Sequence, residues 1–268
     1  MTYKVQDPKH DSGESDKSGP AVTWDYTEHA AHYDRRADYS EAAIKKLIQI
    51  TGCSPGKPVA DIGAGTGKLT KELLKQGLTV MSVEPNKAMR EIGVKNTLGK
   101  SVTWSVGTGE KTGLPARSAH AAFFGSSFNV VDQVAALREV ARILVPRAWF
   151  GCMWNHRDLE DKIQKDIESI IQSIIPSYSY GLRREDPTAV IDGSGLFAKS
   201  MSLEGKFSTK MTRSDIIVAW KSHATLRRQA ENDRTFSDII EKIEHYLAGK
   251  GDPVIVPYAT RIYYAQML

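Results

Sequence analysis

The chain has only two cysteines in 268 residues, Cys53 and Cys152, far apart and in no CxxC pair. That excludes a disulfide framework and a thiolate zinc site, and it predicts an intracellular, cytoplasmic protein. No apolar run approaches the ~18 to 20 residues of a membrane span, and no leader-type segment is expected at the start. The net charge is only +4 and its basic residues are dispersed. A nucleic-acid partner would call for a clustered basic face, so none is predicted. There is no P-loop, nucleophile elbow, paired-carboxylate motif, metal-ligand spacing or internal repeat. What remains is a 41% hydrophobic chain, which suits one α/β domain with insertions.

The expected organisation follows from periodicity. Residues 1–20 are polar and predict a disordered tail. Ser40 opens a helix with Glu41, and Ile44, Leu47 and Ile48 form its apolar stripe. Strands are expected at 58–62, 79–83, 102–106, 119–125 and 149–154, with helices at 67–76, 86–95 and 132–144 between them. Such alternation predicts a doubly wound, mostly parallel sheet. Ile163, Ile167, Ile170, Ile171 and Ile174 then mark an amphipathic helix that Pro176 stops. Residues 158–198 are read as an inserted helical lid. Strands near 201–208 and 253–266 bracket helices near 212–229 and 233–248. They complete a seven-stranded sheet whose last strand enters antiparallel. The domain reading is therefore 21–157 as core with an N-terminal flap, 158–198 as lid, and 199–268 as completion of the sheet.

One stretch carries the functional information: Val59-Ala60-Asp61-Ile62-Gly63-Ala64-Gly65-Thr66-Gly67-Lys68-Leu69. A short apolar strand runs into alternating glycines and then a helix. Glycines let the backbone turn and approach a ligand closely. The helix start offers unsatisfied N–H groups and the positive end of its dipole. A dinucleotide fingerprint would have GxGxxG without the acid. Asp61 instead favours a ligand carrying an ammonium group. This acid-x-Gly-x-Gly-x-Gly pattern resembles motif I of the class I S-adenosylmethionine (SAM) dependent methyltransferases, with a Rossmann-like fold.

Five further segments, spread with motif I over residues 24–158, fit the resemblance. Glu84 follows Gly63 by 21 residues, at the end of the second strand, where a carboxylate accepts both ribose hydroxyls. Gly107-Thr108-Gly109-Glu110 leaves room for a flat adenine, with Thr108, Gly109 and Glu110 as its contacts. Ser126, in Phe124-Gly125-Ser126-Ser127-Phe128-Asn129, is expected beside the sulfonium. Many relatives carry His-Trp where this chain has Asn129-Val130. Asn155 and His156 end the fifth strand; the turn before that strand reads Pro146-Arg147-Ala148 where relatives favour Pro-Gly-Gly. The N-terminal stretch with Trp24, Tyr26, Tyr33, Arg35, Arg36 and Tyr39 is similar to the family's aromatic lid. Tyr33 is expected to stack on the sulfonium, and Arg35 or Arg36 to meet the SAM carboxylate. Of the remaining histidines, His29, His32 and His223 are weak candidates for a base.

The resemblance implies SAM as cofactor, a small-molecule partner and no metal. Asn155, Tyr178, Tyr33 and His156 are the candidate catalytic residues; the oligomeric state stays open. Two reactions fit: methyl transfer to a small acceptor, or cyclisation of SAM itself to azetidine-2-carboxylate with release of methylthioadenosine. For the second, Asn155, Tyr178, Tyr180 and Ser202 are candidates to hold the bent substrate. A non-catalytic SAM-binding protein is a third, weaker reading.

Overall fold

The computed structural model describes residues 36–179 and 186–268. The expected lid residues Trp24, Tyr26, Tyr33 and Arg35, the expected tail, His29, His32 and Tyr180 lie outside the described residues.

Seven strands form one sheet: β1 (Val59–Ile62), β2 (Val80–Val83), β3 (Val102–Ser105), β4 (Ala119–Gly125), β5 (Leu144–Arg157), β6 (Met201–Met211) and β7 (Val254–Gln266). Their spatial order is β3-β2-β1-β4-β5-β7-β6. The first five run parallel, and β7 enters antiparallel between β5 and β6. This is the doubly wound, mostly parallel arrangement that the alternation predicted. β1 is buried at all four positions, as a strand covered on both faces must be.

The helices end where their sequences say they should. Helix α1 (Glu41–Thr51) is capped by the Ser40 hydroxyl, which accepts from the Ala43 N–H, and stops at left-handed Gly52. Helices α2 (Lys68–Lys75), α3 (Lys87–Asn96) and α4 (Gln133–Ile143) follow β1, β2 and β4. Asn86 caps α3 and Asp132 caps α4. One core packs α4 against the Phe124, Phe150 and Trp154 face of the sheet. The other packs α1 and α2 against the Val80, Phe123 and Met153 face.

Gly205, midway along β6, lets α1 approach: a Cβ there would lie 2.6 Å from the Ala43 Cβ and 2.8 Å from the Ser40 hydroxyl. Gly205→Ala should therefore destabilise the fold by about 1–3 kcal/mol through overpacking, checked by thermal unfolding.

The segment expected as a single lid is divided. Helix α5 (Lys162–Gln172) joins α7 (Arg213–Lys221), α8 (Ala224–Gln229) and α9 (Asp233–Ala248) in a separate apolar cluster with Met211, Val254, Val256 and Tyr258. Helix α6 (Thr188–Gly193) instead returns to the sheet, where Ile191 and Phe197 enter the main core. The Ile stripe of α5 thus belongs to a four-helix cap drawn from two parts of the sequence.

The sheet carries this cap on a stepped edge. Gly125, the last residue of β4, pairs with Met153, and β5 continues four residues further to Arg157. Arg157 pairs with Tyr258, beyond which β7 and β6 run on together through Val254 and Met211. The cap therefore overhangs the carboxyl ends of the parallel strands, where ligands bind in open α/β sheets.

Candidate active site

The glycine turn is built as the motif required. Gly63, Gly65 and Gly67 all have positive φ (67°, 58° and 84°). The N–H groups of Gly63 and Ala64 both donate to the Val83 carbonyl, at 2.9 and 3.0 Å. Gly67 caps α2 with no side chain, and the Thr70 N–H in the first turn of that helix bonds Asp61.

Glu84 is the organising carboxylate. One oxygen accepts from the Gly65 N–H and the other from the Asn86 N–H, both at 2.8 Å. Each carboxylate oxygen has a second lone pair, so the group keeps acceptor capacity for a diol. Burial raises its pKa, and the bonds from Asn86 and Gly65 and the charge of Arg90 oppose that rise.

Asp61 is fully buried. Its Oδ2 accepts from the Thr70 hydroxyl at 2.6 Å, and that hydroxyl lies 2.9 Å from the Ser82 hydroxyl. Its Oδ1 has no hydrogen-bond partner. Burial, opposed by the Thr70 bonds and helped by the charge of Glu84, lifts the pKa to about 7. Asp61 thus holds α2 with one oxygen, and the other is buried with no partner among the described residues. The Thr70 partner carries no sequence signal beyond its place on the buried face of α2.

The adenine-loop residues separate. Gly109 is buried, and a Cβ there would lie 2.8 Å from Val131; a glycine is required by packing as well as by ligand space. Thr108 closes a turn instead: its N–H donates to the Lys111 carbonyl and its hydroxyl accepts from the Lys111 N–H. Glu110 accepts from the Asp132 N–H at 2.8 Å and so fastens the loop to the start of α4. The loop's far end is held by Glu139, which accepts from the Thr112 N–H and hydroxyl and from Arg142. Burial pushes the Glu139 carboxyl up, but these bonds outweigh it and hold it at about 2.

Ser126 adopts φ 61°, a conformation costly for a residue with a Cβ. Its hydroxyl lies 3.0 Å from the Tyr39 hydroxyl and its N–H donates to the Met153 carbonyl. A serine between Gly125 and Ser127 gives no warning of this strain.

Three of the expected contacts are used by the protein itself. Arg36, expected at the SAM carboxylate, donates to the hydroxyl and carbonyl of Ser222 at the end of α7. Asn155, expected as catalytic, donates to the carbonyls of Ala37 and Asp38 and accepts from Thr260, which in turn accepts from the Ser40 N–H. Its amide is used on both sides to fasten the incoming chain. Tyr178 is buried in the cap cluster, and Ser202 is exposed on the edge strand β6, level with Tyr263 and below the overhang. His156 is buried near the carboxyl end of β5, opposite Ala259, and His223 caps α8 by accepting from the Leu226 N–H. Sequence reading missed that residues 36–40 form a strap. Arg36 reaches the cap, Asp38 pairs with Lys68 of α2 at 2.9 Å, Tyr39 meets Ser126, and Ser40 meets β7.

Residues 60–152, from within β1 to within β5, match the family described as methyltransferase domain. Over that third of its length the chain is similar to the SAM-dependent methyltransferases. An uncharacterized methyltransferase of Mycobacterium tuberculosis is 36% identical over 127 residues, covering 47% of this chain and 50% of that protein. The ubiquinone/menaquinone biosynthesis C-methyltransferase of Caulobacter vibrioides is 29% identical over 166 residues, covering 55% and 65%. The chain thus spans about half the length of the mycobacterial relative it matches. Two solved structures share this methyltransferase fold. One is named as a type II methyltransferase from Anaeromyxobacter dehalogenans (TM-score 0.58, 18% identity, 86% of this chain and 97% of that one). The other is named as a methyltransferase of an antibiotic biosynthesis pathway from Anabaena variabilis (TM-score 0.56, 18% identity, 83% and 95%). No helix among the described residues is long and apolar enough to cross a membrane.

Proposed function

We propose that this chain transfers a methyl group from SAM to a small-molecule acceptor held between the carboxyl edge of the sheet and the cap. The observation that carries the SAM half is the Glu84 carboxylate, braced by two backbone N–H groups with lone pairs to spare. The orphan Oδ1 of Asp61 and the glycine cradle fit the same ligand. When bound, SAM supplies an activated methyl carbon on a sulfonium. The S–CH3 bond breaks with its electron pair going to sulfur, a new bond forms to the acceptor, and the acceptor's proton leaves.

The chain's own residues then have four tasks. Glu84 holds the ribose, and Asp61 faces the ammonium. Gly109 leaves room for the adenine, with Thr108 and Glu110 shaping its loop. Ser126 and the Tyr39 ring border the sulfonium, and Tyr33 is assigned to the same face. The cap keeps water out, which in-line displacement requires along with alignment. His156 remains the candidate base at the end of β5. Self-cyclisation of SAM is not taken up: of the residues it called on, Asn155 and Tyr178 are used by the fold and Ser202 lies away from the site.

The test is calorimetry with SAM, then mass spectrometry of the nucleosides after incubation with candidate acceptors. Tight binding with S-adenosylhomocysteine as product supports the reading. Methylthioadenosine formed from SAM alone overturns methyl transfer, and failure to bind SAM overturns the whole proposal.

Asp61 adds a pH signature. Its folded pKa of about 7 exceeds the unfolded value of about 3.9. Its contribution to stability is thus fully present below about pH 4 and is lost as pH rises through 7. An ammonium ligand prefers the ionised form, so SAM affinity should rise as pH climbs through 7 and then level off. In Asp61→Asn that rise should vanish, as titrations between pH 6 and 8 will show.

A further inference from the structure

The turn after β4 holds a side chain whose orientation is fixed from behind. Asn129 lies in the 3-10 turn Phe128–Val130, three residues past Ser126. Phe128 anchors that turn, fully buried, with its ring 5.3 Å from Phe124 and 5.2 Å from Phe150. On the far side Val131 stands over Gly109, and Glu110 holds the Asp132 N–H. The turn therefore has little freedom to shift.

Trp154 on β5 donates its indole N–H to the Asn129 amide at 2.9 Å. An indole N–H only donates, so the amide atom facing it must be the carbonyl oxygen. The amide NH2 then faces away from the tryptophan, and among the described residues it donates to nothing. Trp154 is itself 3% exposed and so cannot swing aside cheaply. His156 leaves β5 on the same face as Trp154, two residues nearer the cap. The free donors of Asn129 thus stand at the carboxyl end of β4, three residues past Ser126.

We propose that Asn129 recognises the methyl acceptor through an oxygen atom, and that Trp154 is its positioning residue. The inference rests on the methyl-transfer reading above. The amide oxygen is turned toward Trp154, and the two N–H donors on its other side attract a hydroxyl, enol, carbonyl or phenolate oxygen and repel a protonated amine. The acceptor class is therefore a small oxygen-bearing molecule, methylated on that oxygen or on a carbon that it activates.

The test uses the full chain with SAM and three probes: catechol, 1,4-dihydroxynaphthalene and ethanolamine. S-adenosylhomocysteine formation is measured for the parent, Asn129→Asp and Trp154→Phe, with SAM affinity and Tm measured for each. Asn129→Asp keeps an acceptor for the indole but replaces the free donors with an oxygen. The expected result is turnover of at least one phenolic probe and none of ethanolamine. KM for that probe should rise at least 10-fold in Asn129→Asp and about 3-fold in Trp154→Phe, with SAM affinity within twofold of the parent. An unchanged phenolic KM in Asn129→Asp overturns the role of Asn129. Methylation of ethanolamine alone, or of no probe by a parent that binds SAM, overturns the acceptor class. A parent that does not bind SAM removes the methyl-transfer reading, and this inference with it.

Discussion

Glu84→Gln should cost about 100-fold in SAM affinity while leaving the sheet folded. The carboxylate faces two N–H donors, from Gly65 and Asn86, each at 2.8 Å. A glutamine has one oxygen, so its NH2 would meet one of those donors head-on. The Gly65 N–H or the Asn86 N–H would lose its partner, and the glycine turn would lose its brace. The ribose hydroxyls would also lose a charged acceptor, a bond type worth about 1.5–3 kcal/mol. Losing about 3 kcal/mol corresponds to roughly 100-fold in Kd. Calorimetric titration with SAM gives the affinity, and an unchanged Kd would show that Glu84 is a loop brace with no ligand role.

Gly63→Ala should be more damaging still, because it fails on two counts. At φ 67° an alanine costs roughly 1–2 kcal/mol from backbone strain alone. The new Cβ would also lie 2.5 Å from the Ser127 Cβ. Ser127 cannot retreat, since its hydroxyl donates to the Ile62 carbonyl at 2.6 Å. We expect a total cost of about 2–4 kcal/mol, with the clash included, and a Tm lower by roughly 5–10 °C. SAM binding should fall beyond detection. Adding Ser127→Gly removes the clash but leaves the strained φ, so it should restore part of the Tm and little of the binding. Full recovery of both would assign the whole effect to the Ser127 contact.

The parts of this site that could be read in the sequence are those where one residue type has one physical reason to be there. Three glycines at alternate positions after an apolar strand have few uses other than a ligand turn, and the structure places all three at positive φ. Glu84 could be located because a strand end fixes its place relative to that turn. The Ser40 cap was legible for the same local reason. The side chains that failed are those with several possible partners. Arg36 and Asn155 were assigned to the ligand from the family resemblance, but whether such a side chain meets a ligand or a carbonyl depends on what the fold brings within about 3 Å. Asn155 met the carbonyls of Ala37 and Asp38, residues far away in sequence. The division of 158–198 between cap and core was hidden likewise. The isoleucine periodicity of α5 specifies a buried face, but not which of two apolar clusters will bury it.

The overhang on which the cap rests has a consequence for how this architecture changes over time. From Pro257 to Val254, four residues of β7 carry the cap past the end of β5. At ~3.3 Å per residue they extend the hairpin roughly 13 Å past the end of β5. Because a strand alternates its faces, adding or removing one residue would turn Met211, Val256 and Tyr258 away from the cap, whereas a change of two preserves every face. Roof height is thus quantised, in steps of roughly 7 Å. Lineages that accept larger or smaller molecules can diverge by paired insertions or deletions in this hairpin, with the glycine turn and its brace untouched.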